Sequence, residues 1–482
     1  METEVRAGKS KVNAGIMKVA GMIGSLQMVN ILCSIMRAKL IALWIGPVGV
    51  GLFGVYNSAL EMIALVAQMG IRPSAVRELG KADHRSVSRI VVAVRRTALL
   101  LGLAGALLTL CFSPLLSRIS FGDTSRWWGF AWLSVAILLM ALNNAEGAVF
   151  QGLRRFRKLA RCSMAGSVGG FLVSVPLFYW LRVDSIVPSI LAYVVCTWLA
   201  MGFYREKVPA PTDGFPRQER YAISRRLVTF GAYLTVMGVM NYGITYLFLA
   251  YLRAVSDDVT IGYFQAGSTF VNRYGSLVLT ALAMEYLPRL SAHAHSPRRT
   301  GLMVSNQIFL STIALAGVLS FLAALSPMIL RLFYSSEFMP VLPFLVLAGG
   351  ATLLKGVSWC MAVEMMARGD GRTFLVTELV SGGLHLALSI AGFRLGGFIG
   401  LGIGYVVWYG LYTLMVWLVY RFRYGLRLYG PVGGVMGMAC LFILPTVGLA
   451  LAGYPYWGLP VAICGGLWSA VKLRAKFRGN RQ

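Results

Sequence analysis

The sequence predicts an all-α integral membrane protein. About fourteen transmembrane helices are expected, as two six-helix lobes in a parallel repeat around a central cavity, with a further helix pair at the C-terminus. Three observations predict it: a scarcity of charge, long apolar segments with basic residues gathered between alternate ones, and an internal repeat.

Only 13% of the 482 residues are charged and 57% are hydrophobic, and the mean hydropathy is +0.69. Soluble domains carry about 25% charged residues. A chain with half that supply has too little polar surface to stay in water. The charge present is one-sided, with 45 Lys and Arg against 18 Asp and Glu, net +27. Nucleic-acid binding would need a basic polar face. Here the basic residues sit between apolar runs, as the positive-inside rule produces in a membrane protein. The seven cysteines, Cys33, Cys111, Cys162, Cys196, Cys360, Cys440 and Cys464, are scattered and form no CxxC pair. Neither a disulfide framework nor a metal site is expected. Lys9, Lys11 and Lys18 precede a long apolar segment without a small-residue cleavage site, which reads as a retained first helix rather than a signal peptide.

A spanning helix needs about 20 mostly apolar residues. The expected spans are 15–44, 47–70, 97–117, 128–152, 162–181, 185–204, 227–252, 259–287, 301–325, 339–366, 373–393, 396–420, 431–452 and 456–471. Basic residues crowd alternate connections. Arg72, Arg77, Lys81, Arg85, Arg89, Arg95 and Arg96 fill the first, and Arg154, Arg155, Arg157, Lys158 and Arg161 the second. Arg205, Lys207, Arg217, Arg220, Arg225 and Arg226 fill the third, and the C-terminal tail is basic too. The opposite loops hold mainly single basic residues such as Arg182, Arg253 and Arg331. Both termini are therefore expected in the cytoplasm of a bacterial-type inner membrane. The one long polar connection carries Pro209, Pro211 and Pro216. It divides the chain into an N-lobe (1–204), a cytoplasmic linker (205–226), a C-lobe (227–420) and a C-terminal helix pair with basic tail (421–482).

The lobes read as copies. Ser113-Pro114 through Arg118 at the outer end of the third span matches Ser326-Pro327 through Arg331 at the outer end of the ninth, an offset of 213 residues. At the same offset Gly169-Gly170 meets Gly382-Gly383, and near it Gly51-Leu52-Phe53 meets Gly262-Tyr263-Phe264. Six helices is an even number, so both lobes enter from the same side. The repeat is then parallel, about an axis along the membrane normal, a plan common in secondary transporters.

Charge inside a span is costly and marks function. Arg37 and Lys39 lie in the outer part of the first span, and Arg273 and Lys355 lie near mid-span in the eighth and tenth. An anion is the simplest partner for these four; a structural ion pair or snorkelling is the alternative. Glu61, deep in the second span, and Glu146, after Asn143-Asn144 in the fourth, are candidates for a coupling ion or for ion pairs. Glu285, Glu364 and Glu378 lie near inner helix ends, where a solvated interface role is expected. Asn30, Asn144 and Asn241, with Gln27 and Asn272, are placed either to hydrogen-bond a sugar or to join helices.

The sequence offers little to an enzyme. His293 and His295 have no acidic neighbour for a metal site, and His84 and His385 stand apart. No nucleotide loop or nucleophile elbow is present, and no loop is long enough for a soluble catalytic domain. No catalytic residue, cofactor or metal is expected. Energy would come from an ion gradient, the membrane potential or the substrate's own gradient.

Leu43-Trp44-Ile45-Gly46-Pro47-Val48-Gly49-Val50-Gly51-Leu52-Phe53 resembles the turn between the first two helices of Wzx-type polysaccharide flippases. Gly70-Ile71-Arg72-Pro73 through Leu79 is similar to the end of that family's second helix, and Phe150 through Arg157 to its fourth-helix exit. The resemblance is strongest over residues 10–185. It implies the multidrug/oligosaccharidyl-lipid/polysaccharide exporter fold and a cationic cavity. It also implies a substrate of undecaprenyl-diphosphate-linked oligosaccharide (an O-antigen, capsule or exopolysaccharide unit of lipopolysaccharide-type pathways) flipped to the periplasmic leaflet by alternating access. The implied partners are that polyprenyl-diphosphate-linked oligosaccharide, the lipid bilayer, and a glycan polymerase with chain-length proteins. A lipid II flippase and a drug/cation antiporter of the same superfamily remain open. So does, from another class, a membrane-embedded glycan polymerase or ligase, which would need a sizeable catalytic outer loop.

Overall fold

The structure is a computed structural model and describes residues 29–80, 82–206, 216–274, 279, 286, 290, 296–368 and 370–479. Every regular element among these is helical. Eight stretches among the described residues are long and apolar enough to cross a membrane. Two of them, Phe156–Phe203 and Gly371–Arg423, are 48 and 53 residues long, enough for two passes each at about 1.5 Å per residue.

By packing, the described chain forms two units, the first ending at Asp258 and the second beginning at Val259. The first contains α1 (29–44), α2 (Pro47–Gln68), α3 (Ile71–Gly80), α4 (His84–Cys111) and α5 (Ser113–Phe121). It continues with α6 (Trp127–Gly152), α7 (Phe156–Leu181), α8 (Ile186–Phe203) and α9 (Arg217–Val255). Thus α9, which the sequence assigned to the second lobe, packs with the first unit against α2, α3, α4 and α5. The N-terminal half of the first span and linker residues 207–215 lie outside the described residues.

Within this unit α2 and α3 would be continuous but for one break. Met69 and Gly70 both take left-handed backbone conformations (φ 43° and 57°). Gly70 tolerates this for want of a Cβ; Met69 does so under strain. The break lies against Gly231 on α9, where the two backbones touch. A Cβ on Gly70 would stand 2.6 Å from the Gly231 carbonyl oxygen. Ile71, Ala75 and Leu79 then pack with Val91, Val94 and Ala98 of α4, Ala148 of α6 and Leu227 of α9 in one apolar core. Arg89, Arg95 and Arg96 were expected in a loop. They ride instead on α4, which begins at His84, well before the apolar run. The charge count marked where apolar sequence stops, whereas the helix continues past it as an amphipathic extension.

The second unit contains α10 (Asp258–Thr269, its first residue in the first unit) with a wide turn at Phe270–Tyr274, α11 (Pro297–Ala324) and α12 (Ser326–Phe333). It ends with α13 (Leu342–Ala367), α14 (Gly371–Leu418), α15 (Val432–Leu451) and α16 (Leu459–Gly479). Helix α14 bends at Gly396 and Gly397 (φ 54° at the latter), the first two residues of the expected twelfth span, just past the expected loop at 394–395. The C-terminal pair α15 and α16 packs on α11.

The Ser-Pro repeat is real local geometry. The third expected span, 97–117, does not run through. It breaks at Phe112 (φ −92°, ψ 8°) and restarts as α5. Its counterpart breaks at Leu325 (φ −98°, ψ 6°) and restarts as α12. In each the serine hydroxyl donates to a carbonyl three residues back: Ser113 to Leu110 and Ser326 to Ala323, both at 2.8 Å. Proline in the first turn of the new helix lacks only an N–H that would be unsatisfied there.

Candidate functional site

In the first unit one aromatic ring gathers basic residues from separate elements. Tyr193 on α8 is exposed. The Arg37 guanidinium of α1 lies over its ring, 5.3 Å from the centroid. Arg72 of α3 is within electrostatic reach of the same tyrosine. Arg72 Nη1 donates to Asn144 Oδ1 of α6 at 3.5 Å, and its guanidinium lies over Gly147, where an added Cβ would meet Cζ at 3.8 Å. The Met69–Gly70 break sends the chain this way; a straight continuation of α2 would present Arg72 at another angle. Asn144 in turn donates to Gln68 Oε1 of α2 at 2.5 Å. Although the sequence counted Arg72 among loop residues, the structure puts its exposed guanidinium on α6, held by a side chain the sequence had singled out.

Asn30 donates to Ser163 Oγ at 3.1 Å and accepts from Ser167 Oγ at 2.5 Å, so it joins α1 to α7. Lys39 is half-buried, two residues after Arg37 on α1. Glu61 accepts from Asn57 at 2.9 Å, one turn earlier on α2. Glu146 is clamped by Arg95, with Nε and Nη2 at 2.7 and 2.9 Å on its two oxygens, and by Arg205 Nε at 3.2 Å. Arg95 also donates to the Glu206 carbonyl at 3.0 Å, and Lys158 reaches the Glu206 carboxylate at 2.5 Å. Glu146 therefore anchors a network that ties α4, α6 and the end of α8 together.

In the second unit Lys355 on α13 lies over the Tyr409 ring, 5.9 Å from the centroid. Around it α14 supplies an aromatic group. His385 stacks on Trp408 (3.8 Å, 10° between planes) and meets Tyr405 edge-on at 4.9 Å. Trp408 Nε1 donates to Ser381 at 3.0 Å, and Tyr412 donates to Glu378 at 2.5 Å. The sequence reading missed this group; the spacing Tyr405, Trp408, Tyr409, Tyr412, one face of a helix at i, i+3, i+4 and i+7, would have disclosed it. The side chains of Arg273 and Asn241 lie outside the described residues, as do Gln27, Glu285, His293 and His295. Asn272 is exposed beside Arg273. No group of three or more His, Cys, Asp or Glu side chains suited to a metal occurs among the described residues.

Glu364 differs from its expected solvated role. Its side chain is fully buried and pairs with Arg368 Nε at 2.6 Å. Closeness to a span end does not expose a side chain when the next helix ends over it, and here Tyr420 does so.

Comparison with known proteins gives the frame for these groups. A family model described as "Polysaccharide biosynthesis protein" matches residues 40–343. No curated protein sequence matches the chain. Among solved structures, an inward-facing multidrug resistance MATE family transporter of the MOP superfamily superposes with a TM-score of 0.71 at 16% identity, over 82% of this chain and 94% of that one. The lipid II flippase MurJ in an inward closed conformation superposes with a TM-score of 0.70 at 12% identity, over 97% of this chain and 100% of that one. A MOP superfamily transporter from Pyrococcus furiosus gives 0.58 at 14% identity, over 85% and 96%. These likenesses show the fold, that of MOP superfamily transporters.

Proposed function

We propose, from the premise that the chain belongs to the polysaccharide biosynthesis protein family, that it flips a polyprenyl-diphosphate-linked oligosaccharide from the cytoplasmic to the periplasmic leaflet by alternating access. The observation that carries this reading is Tyr193, which brings Arg37 and Arg72 to one locality in the first unit. A diphosphate brings at least two negative charges into a place where water is scarce, and desolvating it requires fixed cations. Guanidinium forks suit phosphate oxygens better than ammonium groups do. Asn144 presents an amide beside them, placed to orient either Arg72 or the first sugar. Lys355 and Arg273 of the second unit are further anion candidates, as are Lys39, Asn30 and Asn241 of the first for the diphosphate or sugar. The process is translocation rather than chemistry on the substrate, in a bacterial inner membrane with both termini cytoplasmic.

A drug/cation antiporter would call for carboxylates able to take a cation. Glu146 is engaged by two guanidiniums, which favours the anionic substrate. The test is surface glycan in a complemented knockout, with membrane level of the protein as control, and binding of undecaprenyl diphosphate to the purified chain by native mass spectrometry. Loss of one charge-assisted contact weakens binding by about 1.5–3 kcal/mol, or roughly tenfold to a hundredfold. Arg37→Ala and Arg72→Ala should each fall in that range, with partial rescue by Lys; Arg273→Ala and Lys355→Ala test the further candidates. Unchanged binding and glycan in both Arg37→Ala and Arg72→Ala, at normal protein level, refutes this site.

A further inference from the structure

The inner end of the second unit holds a buried acid that the proposed diphosphate site does not use. The Glu364 side chain is 0% exposed, and the helical turn that carries it, Met361 to Met365, belongs to the unit's apolar core. Oε1 accepts from Arg368. Oε2 is buried and has no hydrogen-bond partner among the described residues; the same is true of Arg368 Nη2 and of the Tyr420 hydroxyl. An unsatisfied carboxylate oxygen in an apolar core is costly, more so at membrane depth. A proton on Oε2 removes that cost and turns an orphan acceptor into a donor.

The surroundings supply a route. Arg368, 25% exposed, lies over the Tyr424 ring at 4.9 Å. The Tyr424 hydroxyl donates to Asp370 at 2.9 Å, and Arg423 Nε donates to the same carboxylate oxygen at 3.1 Å. Polar groups thus lead from the buried acid to exposed Arg423 at the end of the unit that faces the cytoplasm in the proposed orientation. Toward Glu364 itself, Tyr286 and Tyr420 are within electrostatic reach. Tyr286 donates to the Cys360 carbonyl at 2.7 Å, and Tyr420 also senses Tyr429 and Arg368. From α11 and α15 the same core takes Val304, Ile308 and Val432, and Ser311 of α11 meets the Cys360 thiol at 3.5 Å.

We propose that Glu364 is a proton-binding site, open to the inner side beside Arg368, whose protonation gates the transport cycle. When Glu364 is ionised, Arg368 has its counter-charge on its own helix, one turn away. When the acid is protonated, Arg368 loses that partner, and the nearest carboxylate on the route, Asp370, already serves Arg423. The guanidinium must then swing outward, which loosens the inner end of α13 from the start of α14. Coupling to transport rests on the flippase reading; the proton site does not.

The experiment is pH-difference infrared spectroscopy on the purified full-length chain in lipid, with surface glycan measured in parallel in the complemented knockout as cytoplasmic pH is set with a permeant weak acid. A buried protonated carboxylic acid gives its own C=O band. The wild type should show it on acidification. Glu364→Gln should lose it, while Glu61→Gln and Glu378→Gln keep it. Arg368→Gln leaves the acid in place, covers the case in which Glu364→Gln fails to insert, and should move the onset of the band to higher pH. Glycan export, changing at its steepest about tenfold per pH unit in the wild type, should flatten in Glu364→Gln. A band that persists in Glu364→Gln, or an onset unmoved in Arg368→Gln, overturns the proton site. A lost band with unaltered export overturns the coupling and leaves a structural pair. A band lost in Glu364→Gln from a chain whose wild type exports no glycan supports the proton site while refuting the flippase reading.

Discussion

Replacing Gly231 by Ala should disturb the protein more than any other single methyl added to α9. Gly231 faces the break between α2 and α3, where an added Cβ would stand 1.8 Å from the Met69 carbonyl oxygen. Ordinary contact begins near 3.4 Å, so one backbone must retreat by roughly 1.6 Å, the difference between these distances. Neither side has a flexible side chain to yield. Met69 already holds a left-handed conformation, and the opposing atoms are main chain. Overpacking of this kind costs about 1–3 kcal/mol. At about 2–4 °C per kcal/mol for a unit of this size, the melting temperature in detergent should fall by roughly 2–12 °C. Gly243, on the same helix, is the control. A Cβ there meets nothing within 4 Å, and Gly→Ala in a helix interior is worth about 0.5–1 kcal/mol in stability. Gly243→Ala should therefore melt at or slightly above the wild type. Because the break aims Arg72 at Asn144, Gly231→Ala should also weaken undecaprenyl diphosphate binding, whereas Gly243→Ala should not. Equal melting temperatures and equal binding for the two variants would show that the Met69–Gly70 turn neither constrains the unit nor places Arg72.

The other expectations concern charge at the inner ends of the units. Glu146→Gln and Arg95→Gln should each destabilise, because each strands a partner in a half-buried network. With side chains 11% and 19% exposed, the cost should sit below the about 3–5 kcal/mol of a fully buried pair. The double variant should melt above either single one, and additive losses would show that the contact contributes nothing. Asp370 caps α14, accepting from the Thr373 N–H at 3.1 Å. The Thr373 hydroxyl and amide first, then Tyr424 and Arg423, hold its carboxyl well below the usual carboxylate range. A depressed carboxyl stabilises the fold above its ordinary titration range and loses that contribution as pH falls through the folded value. Asn still caps, so Asp370→Asn should melt lower at neutral pH only by the lost charge, less than the about 0.5–2 kcal/mol of a cap removed by Ala. The gap to wild type should narrow on acidification below about pH 4, and a gap constant with pH would refute the charge argument.

The membrane class, most span positions and the Ser-Pro repeat were legible because each depends on composition within a few turns of helix. Helix α6 was expected at 128–152 and found at Trp127–Gly152, since apolar length and bounding polar residues are local properties. Contacts between distant positions were not legible. Asn144 and Arg72 are 72 residues apart, and nothing near either one in sequence announces the other. The positive-inside count treated Arg72 and Arg95 as interchangeable members of one loop. In the folded unit Arg95 is spent on Glu146, and Arg72 is held on Asn144 with its surface open. The same blindness placed Glu364 at a solvated interface, because depth along a span says nothing about what the neighbouring helix lays over it.

The distribution of paired and open charge bears on substrate choice. In the first unit Glu146 and Glu206 take cations of their own chain: Arg95 and Arg205 on the one, Lys158 and Arg155 on the other. Glu219 takes Arg89. These pairs lie on α4, α6, the start of α7, the end of α8 and the start of α9, the segments the sequence marked as inner. Arg72 instead rests on an amide and a glycine. An arginine held by an amide keeps its charge available to an incoming anion, whereas one clamped by a carboxylate must first break a pair. Among the described residues, Glu146, Glu206 and Glu219 are thus spent on structure, while Arg72 is left to an amide. A substrate with a diphosphate gains from that arrangement, and a cationic drug meets repulsion. Exchanging the two roles by Asn144→Asp, which would clamp Arg72 as Glu146 clamps Arg95, should leave stability unharmed while lowering undecaprenyl diphosphate binding to the level of Arg72→Ala.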